Sequence, residues 1–522
     1  MSNASADSTN LRLAELMAAL SIATDLGMGQ PMEYAMTTCI VAVRLGEAAG
    51  LSDAELRDAY YEALLRYIGC NADTYWMASI FGDELAVRAD LAKIDDADSL
   101  HMLGTMLRHM RQANAGANAL QMVQVIVRNM TQMPLVTTSF FPGHCEVAQR
   151  LATRLGFPGS FVQTVGQLYA RWDGKGVPAL KGEAISPARL VAGLAQDAVT
   201  FYHLGGVGSA TAMARQRRGG AHSPRLVEIF CERAAELLAG LDAEPTWQMV
   251  LALEPGPQRI LDETEFDNAC EAIADFTDIK SPYFLNHSRR VADLAARAAQ
   301  QCGLPRRDMQ AIRRAGYLHD IGKVGISAGI WSKSDSLNER EWEKVRLHPY
   351  YTERVLARPS ELAGIGELAA LHHERLDGSG YFRGVNATML SPAARILATA
   401  NTYCALTERR AHRPACSPEQ AAEELKREAR AGRLDGDVVK AVLVAAGHEA
   451  PSVKKEVVAG LSEREVEVLR LLARGYTMKQ TAAELVISFK TVDRHVQNIY
   501  TKINVSTRAA ATLFAMENNL LA

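Results

Sequence analysis

Five of the chain's thirteen histidines fall between residues 287 and 373: His287, His319, His348, His372 and His373. Asp320 follows His319 directly, Lys323 lies three residues further on, and the segments carrying them have helical period. A single histidine on an apolar helix face is usually a satisfied core residue, whereas five with an adjacent carboxylate need a common explanation. Neutral imidazole and carboxylate together suit Fe, Mn, Zn or Ni, with Fe or Mn favoured, and a bridging carboxylate holds two ions close together. One or two such ions would acidify a bound water and stabilise in-line displacement at phosphorus, with Lys323 set to neutralise a phosphate oxygen. The chemistry indicated is hydrolysis of a phosphodiester or phosphomonoester.

A second chemical signal lies near the C-terminus. Between Arg470 and Arg508 there are seven Lys or Arg against Glu484 and Asp493, a local excess of five positive charges (7 − 2) in a chain whose net charge is -3. Ser462 with Glu465, and Thr477 with Gln480, form capping boxes for two short helices. After the turn at Val486-Ile487, Ser488 caps a third helix, and a fourth opens after Ser506. In the third helix Val492, Val496, Ile499 and Ile503 share one face, leaving Lys490, Arg494, Gln497 and Asn498 off it. Helix, tight turn and a helix with a basic polar face make a helix-turn-helix, whose second helix enters the major groove of double-stranded DNA.

The elements that must position these residues form an internal repeat. Tyr34, Gly50 and Gly69 are spaced by 16 and 19 residues, as are His287, Gly303 and Gly322; His144 precedes Asp173 by 29, as His348 precedes Asp377. ISPARLVAGLA and LSPAARILATA follow. Two copies of one helical domain are therefore expected, at 11–240 and 258–450. Gly69 and His144 are 75 residues apart where Gly322 and His348 are 26 apart, so the first copy carries an extra helical stretch of about 50 residues. LDAEPTWQMVLALEPGPQ, with its prolines, reads as the joint. Where the second copy has His287, His319, Asp320, Lys323, His372 and His373, the first has Tyr34, Arg66, Tyr67, Cys70, Leu168 and Tyr169, keeping a histidine only at His144. The first copy is expected to be structural, dimer-forming or sensory.

The 522 residues exceed one domain of roughly 150, and 48% hydrophobic with 22% charged residues is globular composition. A net charge of -3 excludes a global positive field, so nucleic-acid contact rests on the local patch. Eight cysteines without a CxxC pair suit reduced, packed thiols rather than a disulfide frame or zinc knuckle. The polar start MSNASADSTN and the lack of ~18 uninterrupted apolar residues predict a soluble, cytoplasmic protein with no membrane partner. Alternating β-branched runs are scarce, and the fold class expected is all-α.

HSRRVADLA, LHDIGK, RLHPYY, HHERLDGSGY and RILATAN, in that order, resemble the HD-GYP branch of the HD phosphohydrolase superfamily across most of 280–415. The resemblance implies metal ligation by His287, His319, Asp320, His348, His372 and His373, with Asn401 where the family has its last metal-bridging Asp. It implies hydrolysis of cyclic di-GMP, Lys323 and Asp320 acting in catalysis, and phosphate contacts from Lys323, Arg410 and Arg413. The sequence departs at Asn401, a neutral and poor bridging ligand that implies weaker metal binding or a single ion, and at Phe382, which replaces the Pro of the GYP tripeptide.

LSEREVEVLRLLARG, KQTAAELVIS and KTVDRHVQNIYTKI resemble the LuxR-type DNA-binding domain over 457–522, a four-helix unit. The resemblance implies that Lys479, Ser488, Lys490, Thr491, Arg494, His495, Asn498 and Lys502 contact phosphate or bases, with Asp493 standing where the family commonly has Lys. The sequence thus predicts a DNA-binding transcriptional regulator, a homodimer because operators are two-fold, whose HD-GYP-like domain binds metal and a cyclic dinucleotide or other phosphorylated ligand. The alternative is a metal-dependent phosphodiesterase acting on cyclic di-GMP or a related nucleotide, with the helix-turn-helix as its targeting or regulatory module.

Overall fold

Helical period dominates the chain, and helices make up nearly all of its regular structure. The computed structural model describes residues 8–95, 98–242, 246–447, 458–518 and 520–521, except the side chains at 8, 128, 130–139 and 458. The N-terminal heptapeptide and the expected junction between 450 and 457 lie outside the described residues. Among the described residues the only strands are Ser8–Arg12 and Ile260–Asp262, paired antiparallel with Ser8 opposite Asp262 and Arg12 opposite Ile260. The chain divides into two compact units, Met1–Glu265 and Phe266–Ala522.

The two units repeat one framework, and the repeat is visible in backbone detail. Asp25 accepts from Ala35 N at 3.1 Å, and Asp278, at the matching position, accepts from Ser288 N at 2.8 Å. Each carboxylate so satisfies an orphan N–H at the start of the next helix, Tyr34–Ala49 or His287–Gln301. The residue before each helix is left-handed, Glu33 at φ 72° and Asn286 at φ 63°. Gly69 and Gly322 are required for a different reason. A Cβ on either would stand 2.0 Å from a carbonyl, that of His144 or of His348, so only glycine lets the chain pass the helix carrying the histidine.

The extra stretch of the first copy forms helices Thr74–Phe81, Glu84–Leu91 and Ser99–Ala113 and the first turns of Ala119–Arg154. The expected joint is not a linker. Thr246–Ala252 is a helix that buries Trp247 and Val250, Tyr60 donates to Val250 O at 3.2 Å, and the following strand closes the first unit against Ser8–Arg12. An apolar pair at helical spacing outweighed the flanking prolines.

The C-terminal helices are Glu463–Ala473, Met478–Glu484, Phe489–Lys502 and Arg508–Glu517. Both capping boxes form, Ser488 accepts from Thr491 N, and the fourth helix opens after Ser506, capped by Thr507. Val492, Val496, Ile499 and Ile503 are buried as the periodicity requires. Among the described residues no helix is long and apolar enough to cross a membrane.

Candidate functional site

His287 opens helix His287–Gln301, His319 and Asp320 end Arg306–Leu318, His348 opens His348–Leu356, and His372 and His373 follow Ser360–Ala369. The fold gathers all of them. His287, His319 and Asp320 form one group with ligand atoms within 4.8 Å of one another, and His348, His372 and His373 form another. Asp320 lies between: its Oδ1 is 3.4 Å from His372 Nε2 and 3.6 Å from His348 Nε2, its Oδ2 3.1 Å from His319 Nε2 and 3.4 Å from His287 Nε2.

Tautomers follow from the partners. The Nδ1 atoms of His319, His348 and His372 lie 2.8, 2.6 and 2.7 Å from the carbonyls of Gly316, Val345 and Ala369. A carbonyl only accepts, so each Nδ1 carries the proton and each Nε2 presents a lone pair inward. His348 Nε2 and His372 Nε2 then face each other at 3.0 Å. Burial pushes His287 and His372 down to about 4, and pushes His348 and His373 well below the ordinary value, so a proton is a poor neutraliser of these lone pairs. His319 Nε2 and Asp320 Oδ1 are buried without a hydrogen-bonding partner. Convergent lone pairs, an ionised carboxylate and unpartnered buried acceptors fit a divalent transition metal.

Asn401 is 3% exposed, with Oδ1 3.1 Å from His287 Nε2 and Nδ2 3.5 Å from His372 O, so it stands in the ligand circle and offers a neutral oxygen. Lys323 bonds Asp320 Oδ2, its Nζ lying over Phe284 at 4.5 Å and Trp331 at 5.3 Å. Burial works to raise Asp320, but the Lys323 ammonium beside it holds its carboxyl well below the usual range. Tyr381 stacks on His373 with ring centroids 4.5 Å apart, and Glu374 anchors the loop after it by accepting from Arg383 N, Gly384 N and Val385 N.

The two arginines part company. Arg410 reaches the rim, 3.0 Å from Tyr283 O and 2.9 Å from Glu408 Oε2. Arg413 is differently engaged: its guanidinium donates to the carbonyls of Ala405, Leu406, Glu408 and Pro414, satisfying the end of helix Pro392–Thr407.

Glu408 is the residue sequence reasoning missed. Its Oε2 accepts from His287 Nδ1 at 2.8 Å, the carboxylate–histidine arrangement that orients a metal ligand. Burial opposes its ionisation, but His287, Arg410 and Arg290 outweigh it and hold the carboxyl down to about 2. Glu408 follows the last residue of helix Pro392–Thr407 in extended backbone, so helical spacing from Asn401 gave no signal for it.

On the C-terminal domain Lys479, Lys490, Arg494 and Asn498 are exposed and free to meet a ligand, and His495 is half-buried. Ser488 and Thr491 are exposed but also bond each other at 2.7 Å around the helix cap. Lys502 is exposed and also engaged within the domain, its Nζ 2.7 Å from Glu465 Oε2 and 2.9 Å from Gly460 O.

Residues 271–438 match the HD domain family, and 459–515 match the bacterial regulatory proteins of the luxR family. The chain is 32% identical over 426 residues to 3'3'-cGAMP-specific phosphodiesterase 3 of Vibrio cholerae serotype O1, covering 77% of this chain and 88% of that protein. It is 33% identical over 187 residues to a cyclic di-GMP phosphodiesterase of Thermotoga maritima, covering 34% of this chain and 50% of the relative. The crystal structure of the V. cholerae cyclic GMP-AMP-specific phosphodiesterase superposes with a TM-score of 0.58 at 27% identity, over 84% of this chain and 98% of that one.

Proposed function

Since the chain belongs to the HD-GYP family of HD-domain phosphohydrolases and ends in a LuxR-type helix-turn-helix, we propose that it is a divalent-metal-dependent phosphodiesterase of 3',3'-cyclic dinucleotides. The helix-turn-helix would target or regulate it through double-stranded DNA. The observation that carries this reading is the meeting of histidine lone pairs around Asp320, with His319 Nε2 and Asp320 Oδ1 unpartnered. The substrates in the names of the relatives, 3'3'-cGAMP and cyclic di-GMP, supply the substrate class. This ordering reverses the one the sequence suggested, in which DNA binding came first.

His287, His319, Asp320, His348, His372 and His373 would hold the metal, Fe or Mn, with Asn401 contributing a neutral oxygen. Bound there, a divalent cation supplies Lewis-acid polarisation of a phosphoryl oxygen and acidifies a water. The chain's own groups do the rest. Glu408 fixes the His287 ring by taking its Nδ1 proton in a hydrogen bond, and Arg410 holds Glu408 in place. Lys323 keeps Asp320 ionised and brings a positive charge to the position where a phosphate oxygen gains charge. The division into 11–240, 258–450 and 457–522 and assembly as a homodimer belong to the same proposal.

A second reading, a DNA-binding regulator whose HD site binds its ligand without turning it over, is favoured by Asn401 alone, which lacks the bridging charge. Incubation of Mn- or Fe-loaded protein with 3'3'-cGAMP and with cyclic di-GMP separates the two. Linear dinucleotide formed by wild type and lost in His319→Ala is expected. Metal-replete protein that gives no product from either substrate leaves the regulator.

A further inference from the structure

The first copy has exchanged the metal site for a cavity. Arg66, Cys70, His144 and Tyr169, at the positions of His319, Lys323, His348 and His373, form the floor of a cavity of about 260 Å³. The inserted helices roof it with Trp76, Met77, Phe81 and Met106, completed by Phe140 and Phe141 from the long helix before His144. Aromatic contacts tie roof to floor: Trp76 meets Phe140 with centroids 5.6 Å apart, Phe140 meets His144 at 4.8 Å, and Phe141 meets Tyr169 at 4.5 Å. The stretch that sets this copy apart in sequence is the one that encloses the space.

The floor is polar and ordered. His144 Nδ1 is 2.8 Å from Tyr169 Oη, which is 3.3 Å from Cys70 Sγ, and His144 Nε2 is 2.8 Å from Asp73 Oδ2. Tyr34, in the place of His287, is satisfied by Thr200 and Gln196 O. Among the described residues both groups of His, Cys, Asp or Glu placed to hold a metal lie in the second copy. Among the lining atoms without hydrogen-bonding partners are the Nε of Arg66, whose NH1 pairs with Glu62 at 3.3 Å, and Oε1 of Gln196, a residue 8% exposed. A buried donor and a buried acceptor left open beneath an aromatic roof, in a lining that also carries Arg88, Arg171, Arg217, Asp197 and His222, call for a ligand head that meets them.

We propose that the first copy is a binding site for a small aromatic carboxylate of one or two rings, its ring packed under Trp76 and Phe140 and its carboxylate beside Arg66. The volume sets the upper size, being at the low end for small-molecule pockets. The guanidinium selects the anionic head, since charge-assisted bonds to carboxylate are the strong ones. Gln196 Oε1 favours acids that also carry a hydroxyl or N–H donor. This site is distinct from the metal centre and does not rest on the phosphodiesterase reading.

Indole-3-acetate and 4-hydroxybenzoate, with benzyl alcohol as the neutral comparison, are titrated into the full-length protein by calorimetry with EDTA present, which removes any contribution from metal. One saturable site per chain for an acid is expected, weakened about tenfold or more in Arg66→Gln and abolished in Met106→Trp, which fills the cavity. Met106 is half-buried, so the second variant folds even where loss of the Arg66–Glu62 pair disturbs the first, and far-UV circular dichroism verifies this. No saturable binding of either acid up to about 5 mM overturns the site, as does binding undiminished in Met106→Trp. Benzyl alcohol bound as tightly as the acids overturns the ligand class.

Discussion

His348 Nε2 lies 3.0 Å from His372 Nε2 while the Nδ1 of each ring is committed to a main-chain carbonyl, so two lone pairs meet inside a buried site. That arrangement is unfavourable until a cation lies between or beside them, and binding to the native state alone becomes folding stability. Mn²⁺ at 100 times its dissociation constant is expected to stabilise the protein by about 2.7 kcal/mol, and EDTA to reverse the gain. In His372→Phe the thermal midpoint should no longer respond to metal. Scanning calorimetry with and without Mn²⁺ checks both.

In the proposed site Glu408 would act on the metal through His287, whose Nδ1 it accepts from at 2.8 Å. Glu408→Gln keeps the shape but weakens the hydrogen bond that orients the ring, and such changes lower metal affinity by roughly 10- to 100-fold. Elemental analysis after dialysis against a competing chelator is expected to show that loss, with far-UV circular dichroism unchanged. Affinity equal to wild type would remove Glu408 from the metal-supporting network.

Residue type and spacing were enough to find the histidines, because metal chemistry restricts ligands to few side chains and the second copy could be read against the first. Glu408 escaped because a lone acid before two arginines in TERR reads as a solvated helix end, and only the fold turns it onto His287. Arg413 and Lys502 were placed by family resemblance, which does not show that helix carbonyls and an internal carboxylate engage the same donors. The pairing of Ser8–Arg12 with Ile260–Asp262 spans about the whole first unit, so no local pattern announces it. The insertion was legible as length, but its role as a roof depended on where its aromatic residues point.

The first unit carries a pH dependence through Asp197. Burial works to raise its carboxyl, but His222 at 2.8 Å and Arg217 at 2.5 Å hold it well below the ordinary 3.8. A carboxyl depressed in the folded state contributes stability that is present above the unfolded value and lost as pH falls below it. Asp197→Asn should therefore cost about 2 kcal/mol at neutral pH, and its gap to wild type should narrow between about pH 5 and about pH 3. Thermal midpoints across that range measure the gap; a constant difference would show that Asp197 is not the group titrating.

Lys490 and Lys502 separate contact from support in the DNA-binding domain. Lys490 is exposed, so Lys490→Ala should weaken binding to all DNA sequences alike and reduce the salt slope by about 1. Lys502→Ala instead leaves Glu465, whose side chain is 4% exposed, without its cation, and should cost up to about 1 kcal/mol of domain stability. Fluorescence anisotropy on labelled duplex at several salt concentrations, beside thermal unfolding, distinguishes them. Equal salt slopes for wild type and Lys490→Ala would exclude a phosphate contact at that position.

Gly322 ties the fold to the histidine cluster. A methyl group there would meet His348 O at 2.0 Å and Thr352 N at 2.6 Å, and both atoms belong to the helix that carries a metal-directed histidine. The backbone cannot yield without moving His348, so Gly322→Ala should cost about 3 kcal/mol and lower metal content together. Gly303→Ala is the control: its φ of +71° strains any other residue by about 1 kcal/mol, but nothing lies within 4 Å of the added carbon. The control is expected to lose stability and keep its metal. Thermal unfolding with elemental analysis of both variants reads this out, and full metal occupancy in Gly322→Ala would mean that the helix His348–Leu356 adjusts without disturbing the ligands.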